Sequence, residues 1–513
     1  MQIVDNRGLL LRVRNPDKIT TAIPSSQQVN NTDVLVKWGV DEATVLKNLN
    51  VKDVPSPILG KYDWPGRYKP FEHQKTTASF LTMNRRAFCF NEQGTGKTGS
   101  AIWASDFLIK EKLIKRVLII CPLSIMESAW AADLFNFAMH RRIDVAHGAR
   151  KKRQAIIEGD AEYIIINYDG VEIVKDEIEA GGFDLIIADE ATHYKNAQSK
   201  RWKILASLIK PNTWLWMMTG TPAAQSPVDA YGLAKLVNPK GVPKFFGAFR
   251  EMVMQKITQF KWVPKPRAVD LVFNALQPAI RFTKEQCLDL PEMTYVKREV
   301  ELTPQQRKYY DTLRKQMVMV AAGEQITAAN AAVNMNKLLQ ISCGAVYTDT
   351  GETVEFDIKN RYKVLREVID ESSKKVLVFV PFKHVIDLLK DKLTKDGITN
   401  EMIRGDVSAP NRTRIFKEFQ TTDNPRVLII QPQAAAHGVT LTAANTIVWW
   451  GPVSSLETYA QANARVHRSG QTHPCTVVQL QGSTVEKRIY TMLDERINVH
   501  TKMIDLYEEV LEI

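Results

Sequence analysis

The chain has 513 residues, 44% hydrophobic and 24% charged, and its 68 lysines and arginines against 57 acidic residues leave it at +11 with histidine neutral. That length suits three or four domains and can bury more than one core. The composition excludes a mainly disordered chain, a collagen-like chain and a small disulfide scaffold. Excess positive charge suits a phosphate-bearing partner without requiring one.

The five cysteines (Cys89, Cys121, Cys287, Cys343, Cys475) are far apart and form no C-x-x-C pair. That argues against a zinc ribbon or redox motif and for reduced thiols in a cytosolic-type compartment. The start, MQIVDNRGLLLRVRNPD, lacks the apolar core and cleavage site of a signal peptide. No apolar run approaches the ~18 residues of a membrane span.

In chain order, residues 1–65 read as a small α+β accessory unit. QIVD, LLLRVR and DVLVKW suit short strands, and DEATVLKNL a helix with Asp41 as N-cap. PSPILGKYDWPGRYKP, with four prolines and three aromatics, reads as a rigid linker or ordered loop. Residues 66–235 alternate β-rich apolar runs (RAFCF, RVLIICP, AEYIIINY, FDLIIADE, TWLWMMTG) with polar or helical stretches, as parallel strands covered by helices do. Residues 236–355 read as a mostly helical connecting region. The α/β pattern returns over 356–485 (KKVLVFVP, PRVLIIQP, ANTIVWWG, PCTVVQL), and 486–513 read as a C-terminal helix. The expected class is α/β, with two parallel-sheet lobes.

Residues 88–98, FCFNEQGTGKT, run from a strand through a glycine-containing loop into a helical stretch, the context of a Walker A phosphate loop. Gly94, Thr95 and Gly96 allow backbone N–H groups to point at phosphate. Lys97 suits the β- and γ-phosphates, and the Thr98 hydroxyl suits Mg²⁺. The strict pattern has glycine where Asn91 stands. In FDLIIADEATHYKN an apolar strand ends in Asp189, suited to Mg²⁺, and Glu190, suited to orienting or deprotonating water. TGTP, residues 219–222, is a turn able to sense the γ-phosphate or to link sites. Gln74 in KPFEHQ lies about 20 residues before the loop, and its amide can donate and accept at an adenine edge. In the second lobe, QANARVHRSGQ places Arg465 and Arg468 three apart, on one face if helical, as arginine fingers would be. His467 reads as a structural hydrogen-bonding residue. Thr440 and Thr442 suit hydrogen bonds to a nucleic-acid backbone; IRGDVSAPNRTRIF turns at Gly405-Asp406, and its Arg412 and Arg414 suit phosphate contacts or a plain solvated face.

Together Gln74, NEQGTGKT, ICPLSIMESAW, DEATHYKN, TGTPAAQSP, GDVSAPNR, HGVTLTAANTIV and QANARVHRSGQ resemble the ordered motifs of superfamily 2 helicase-type ATPases. The branch they resemble more is that of the Swi/Snf-related DNA translocases, over about residues 70–500. The resemblance implies two RecA-like lobes with ATP and Mg²⁺ in the cleft. It implies Glu190, Lys97, Arg465 and Arg468 as catalytic residues and Gln74 with the loop as the nucleotide site. It also implies tracking of duplex or branched DNA without sequence specificity, with Pro122, Ser124, Gly405, Arg412 and Thr440 as DNA contacts. Four positions depart: Asn91 for an acidic or small residue, Thr192 for the branch's histidine, and Gln93 and Thr95 for Met and Leu. The compact spacing looks nearer to annealing-helicase-like, phage or bacterial members, and so to the cytoplasm of a bacterium or an infected host. One chain holds both lobes, so a monomer is sufficient, and the sequence assigns no protein partner. The alternatives are a strand-separating DNA or RNA helicase and a nucleotide-regulated DNA-binding scaffold.

Overall fold

Four short strands open the chain: β1 (Gln2–Val4), β2 (Gly8–Arg12), β3 (Gln27–Gln28) and β4 (Asp33–Lys37). They pair antiparallel in the order β1-β2-β4-β3. Alternate residues Leu9, Leu11, Val34 and Val36 point inward and form a small core with Ile19, Trp38 and Leu46. The helix Val40–Asn48 starts from Gly39, not Asp41; Asp41 lies in its first turn, where a carboxylate favours the positive end of the helix. The computed structural model describes residues 1–220, 226–258, 262–287, 290–323, 328–347, 352–435, 439–468 and 470–495.

The chain divides into two units, residues 1–287 and 288 onward. In the first, β5 (Arg86–Cys89), β6 (Val117–Cys121), β7 (Ile143–Ala146), β8 (Tyr163–Asn167), β9 (Leu185–Asp189) and β10 (Trp214–Met218) build a parallel sheet. An antiparallel hairpin, β11 (Met254–Lys256) and β12 (Trp262–Pro264), precedes its seventh strand, β13 (Ala279–Ile280). The order is β13-β5-β10-β9-β6-β8-β7. Phe88, Leu118 and Ile120 face one core, and Ala87, Ile119 and Cys121 the other. The strands are apolar on both faces because helices cover both.

The proline- and aromatic-rich stretch is an ordered brace on the helix Lys97–Lys110. Tyr62 packs edge-on against Phe107, Trp64 against Trp103, and the Trp103 indole donates to the Pro65 carbonyl at 3.0 Å.

The second unit is another all-parallel sheet. Its strands are β14 (Met293–Glu299), β17 (Lys375–Phe379), β18 (Asn400–Ile403), β19 (Val427–Ile430), β20 (Ala444–Trp449) and β21 (Cys475–Gln481). The hairpin β15 (Ala345–Tyr347) and β16 (Thr353–Glu355) stands apart. The order is β14-β21-β20-β17-β19-β18. A buried ion pair ties it together: Arg361 meets Glu486 at 2.7 and 2.8 Å and donates to the Trp450 carbonyl. Glu486 also accepts from the Gly482 and Ser483 N–H groups at 2.7 and 2.9 Å, closing a capping box on the helix Thr484–Asp494.

The stretch 236–355 is not one connecting body. Phe249, Val253 and Ala275 belong to a core of the first unit, and Tyr310, Met335 and Leu338 to a core of the second. Nor is the C-terminal helix separate: Val485, Ile489 and Leu493 lie in the second unit's core, and residues 496–513 fall outside the described set. No helix among the described residues is long and apolar enough to cross a membrane. The five cysteines are free thiols, four of them buried.

Candidate functional site

Parallel pairing decides where the motifs meet. Met218 on β10 is in register with Cys89 on β5 and with Asp189 on β9, so the segments after these three strands leave one rim of the sheet. The chain then passes from β5 to β6 across β10 and β9, which makes this rim a topological switch point, the usual place for a ligand crevice.

After β5 the loop turns through Gly94 and Gly96, with φ of 86° and 79°, and Gly96 caps the helix Lys97–Lys110. A Cβ on Gly96 would lie 1.9 Å from the Gln74 amide nitrogen, so the Gln74 side chain rests on the loop. Its other end is fixed, since Oε1 accepts from the Phe71 N–H at 2.9 Å. His73 Nε2 lies 2.8 Å from the Thr95 carbonyl, and the buried Thr95 hydroxyl donates to the Glu92 carbonyl at 2.7 Å. Lys97 Nζ donates to the Asn91 carbonyl at 2.8 Å.

Asn91, the departure from the strict loop pattern, is buried and fastened at both ends of its amide. Nδ2 donates to Thr77 Oγ1 at 2.8 Å, and Oδ1 accepts from the Phe282 N–H at 3.0 Å. A glycine could make neither bond, so here the side chain takes over the fixing of the loop entrance.

At the end of β9 the Asp189 carboxylate is buried. Oδ2 accepts from the Trp130 indole and Oδ1 from the Glu190 N–H, both at 2.9 Å. Burial raises the Asp189 carboxyl above its usual range, opposed by the Lys97 charge and these two donors. Glu190 has left-handed backbone angles, φ 49° and ψ 54°. The Tyr168 hydroxyl donates to the carbonyls of Asp189 and Glu190, the latter at 3.4 Å. Gln93 Nε2 donates to Glu190 Oε1 at 3.4 Å, which joins the loop after β5 to the end of β9. Thr192 is half-buried in the short turn Ala191–Tyr194. After β10, Thr219 is buried and donates its N–H to the Cys89 carbonyl at 3.1 Å; Thr221 and Pro222 of the TGTP turn lie outside the described residues.

The first unit thus brings together Gln74, Gly94, Thr95, Gly96, Lys97 and Thr98 with Asp189 and Glu190. Sequence reasoning missed Trp130, Tyr168 and Gln93 as partners of this group. The tryptophan closing CPLSIMESAW was the one available signal, since a buried indole needs an acceptor.

In the second unit Arg465 and Arg468 do not share a helix face. The helix Leu456–Asn463 ends before them, and they occupy the turn that follows. Arg465 is buried, with its carbonyl accepting from the Leu441 N–H at 2.9 Å, and Arg468 Nη1 donates to the Val439 carbonyl at 3.3 Å. His467 Nε2 lies 2.9 Å from the Pro291 carbonyl. Of the candidate nucleic-acid contacts, Ser124, Gly405 and Thr440 are exposed and Pro122 is buried. Arg412 Nη2 donates to the carbonyls of Arg404 and Val407 at 3.3 and 3.0 Å, bracing the turn it was expected to present to phosphate. Arg414 pairs with Glu418 at 2.7 Å, and Thr442 accepts from Gln420 at 2.9 Å.

Residues 73–345 match the SNF2-related domain family, and residues 360–470 the helicase conserved C-terminal domain. A Mycoplasma genitalium protein named an uncharacterized ATP-dependent helicase is 26% identical over 79% of this chain and 39% of its own length. The p41 protein of Acyrthosiphon pisum secondary endosymbiont phage 1 is 25% identical over 78% of this chain and 88% of its own. A solved structure, the Sulfolobus solfataricus SWI2/SNF2 ATPase core in complex with dsDNA, aligns with a TM-score of 0.42 at 21% identity, covering 88% of this chain and 98% of that one. The chain spans about two-fifths of the length of the Mycoplasma helicases it matches.

Proposed function

The chain belongs to the SNF2-related domain family, and from that premise we propose that it is a motor that hydrolyses ATP while tracking along duplex or branched DNA. The observation that carries this reading is the meeting at one rim of Lys97, Asp189 and Glu190, with Gln93 bonded to Glu190 at 3.4 Å. A positive side chain on a phosphate loop, a buried carboxylate and a second carboxylate at the next position are the groups phosphoryl transfer to water needs.

In this reading Gln74 takes the base, the loop N–H groups and Lys97 hold the phosphates, and Glu190 orients and deprotonates the attacking water. Thr98 and Asp189 offer hard oxygen donors of the kind Mg²⁺ prefers, and the burial that raises the Asp189 carboxyl is a cost that a cation relieves. Those two residues would hold Mg²⁺, which supplies charge neutralisation at the phosphates. We assign Arg465 and Arg468 to stabilising the charge of phosphoryl transfer, and Arg468→Ala should lower kcat more than nucleotide affinity. Ser124, Gly405 and Thr440 are the positions we assign to the DNA backbone, and the +11 net charge favours that partner.

The test is the steady-state ATPase rate with matched duplex, single-stranded and forked DNA and with RNA, using Lys97→Ala as control. Strong stimulation by duplex DNA, abolished in Lys97→Ala, is expected. Stimulation by single strands or RNA alone would assign a strand-separating helicase instead. Bound ATP without turnover on any substrate would leave only a nucleotide-regulated scaffold.

A further inference from the structure

Between the end of β6 and the next helix the backbone does something uncommon. Residues Leu123–Ile125 form a 3₁₀ turn and Met126–Ala131 a π-helical turn, which runs into the helix Ala132–Ala138. A π turn inserts an extra residue per turn and re-aims the side chains it carries, and such turns concentrate at functional sites. The side chain aimed here is Trp130, fully buried, whose indole nitrogen sits 2.9 Å from Asp189 Oδ2.

An indole N–H only donates, so it is satisfied by the carboxylate and has nothing to offer a neutral donor in its place. Asp189 is held from two sides, by Trp130 on Oδ2 and by the Glu190 N–H on Oδ1. Each carboxylate oxygen has two acceptor sites, so one donor on each fixes the rotamer and leaves capacity on both oxygens. Both donors belong to rigid neighbours: a fully buried ring, and the residue that follows β9.

We propose that Trp130 is a positioning residue, whose N–H holds the Asp189 carboxylate fixed in the orientation from which it would accept the metal ion of a metal–nucleotide complex. This inference rests on the reading of Asp189 as the magnesium carboxylate. Trp130 acts through Asp189, the group its indole N–H bonds.

The test uses the full chain and Mn²⁺ as probe, with free Mn²⁺ followed by electron paramagnetic resonance in the presence of a non-hydrolysable ATP analogue. Trp130→Phe keeps an aromatic ring and removes the donor. The expected result is a loss of about tenfold in Mn²⁺ affinity, the scale of one charge-assisted hydrogen bond. Affinity for the analogue without metal should be unchanged. In steady state the variant should need more Mg²⁺ and recover its kcat when Mg²⁺ is raised, a split that a merely loosened core would not produce. Should Trp130→Phe fail to give a cooperative melt, benzothienylalanine introduced at position 130 keeps the ring shape, replaces N–H by sulfur and takes the same measurement. Asp189→Asn runs in parallel. Weak Mn²⁺ binding in Asp189→Asn with wild-type binding in folded Trp130→Phe would overturn the inference alone. Wild-type binding in Asp189→Asn would overturn the reading of Asp189, and the inference with it.

Discussion

Gln93 and Glu190 lie 97 positions apart, yet the Gln93 amide donates to the Glu190 carboxylate at 3.4 Å. One follows β5 and the other follows β9, and only the parallel pairing of both strands with β10 brings them together. Glu190 holds left-handed backbone angles that a non-glycine residue adopts at some cost, and the Gln93 amide is a partner that fixes the direction of its carboxylate. Gln93→Ala is therefore expected to lower kcat about tenfold with little change in KM. A raised KM at unchanged kcat would instead assign Gln93 to nucleotide binding.

Gly96 admits no side chain. Its φ of 79° disfavours one, and a Cβ would run into the Gln74 amide at 1.9 Å. Gly96→Ala should cost about 1–2 kcal/mol of stability from the backbone alone. It should also displace Gln74 and remove nucleotide binding. Thermal melting and titration with a fluorescent ATP analogue read the two effects separately.

The Arg361–Glu486 pair has no water to fall back on. Burial opposes the guanidinium's charge, but the adjacent Glu486 carboxylate outweighs it, and the net effect raises the Arg361 pKa. Removing one partner leaves a buried charge uncompensated, so Arg361→Met should cost about 3–5 kcal/mol in denaturant unfolding. The double variant Arg361→Met/Glu486→Leu should recover part of that. It should not recover all, because Glu486 also accepts from Gly482 and Ser483 at the start of the last helix.

Cys89 ends β5 directly beneath the loop, and burial pushes its thiol up to about 11, opposed by the Lys97 charge. A folded value above the unfolded one means that the neutral thiol is favoured by the fold. The stability so gained is whole below the unfolded thiol's pKa of about 8.5 and is lost as pH rises through the folded value. Between those limits the melting temperature should fall more steeply in the native sequence than in Cys89→Ala. At neutral pH, alkylation of Cys89 should wait for unfolding. Prompt alkylation of the native protein would contradict the burial argument.

The interior of both sheets was legible in the sequence, because β5, β6, β8, β9, β10, β17, β19, β20 and β21 are apolar on both faces. The four strands of these two sheets that escaped notice, β7, β13, β14 and β18, are their four edges. An edge strand packs less of its surface, and β14, with only Met293 and Val296 among its apolar residues partly buried, shows no continuous apolar run. The same limit holds at the site. Lys97, Asp189 and Glu190 are legible because their chemistry is tied to local strand–loop context. Trp130, Tyr168 and Gln93 meet Asp189 and Glu190 from the segments after β6, β8 and β5, and that proximity is a property of strand order. Arg412 shows the converse: a basic residue in a promising turn whose guanidinium donates to the carbonyls of that turn.

Because every strand in the first unit's main sheet runs the same way, the site-forming segments leave one rim and the returning turns occupy the opposite one. Pro211 and Asn212, exposed just before β10, lie on that second rim. One rim therefore carries Lys97, Asp189 and Glu190, and the other carries the turns that return the chain to its strands. An affinity tag, a fluorophore or a whole grafted module belongs at 211–212, where it lengthens a turn and leaves the spacing of Lys97, Asp189 and Glu190 untouched.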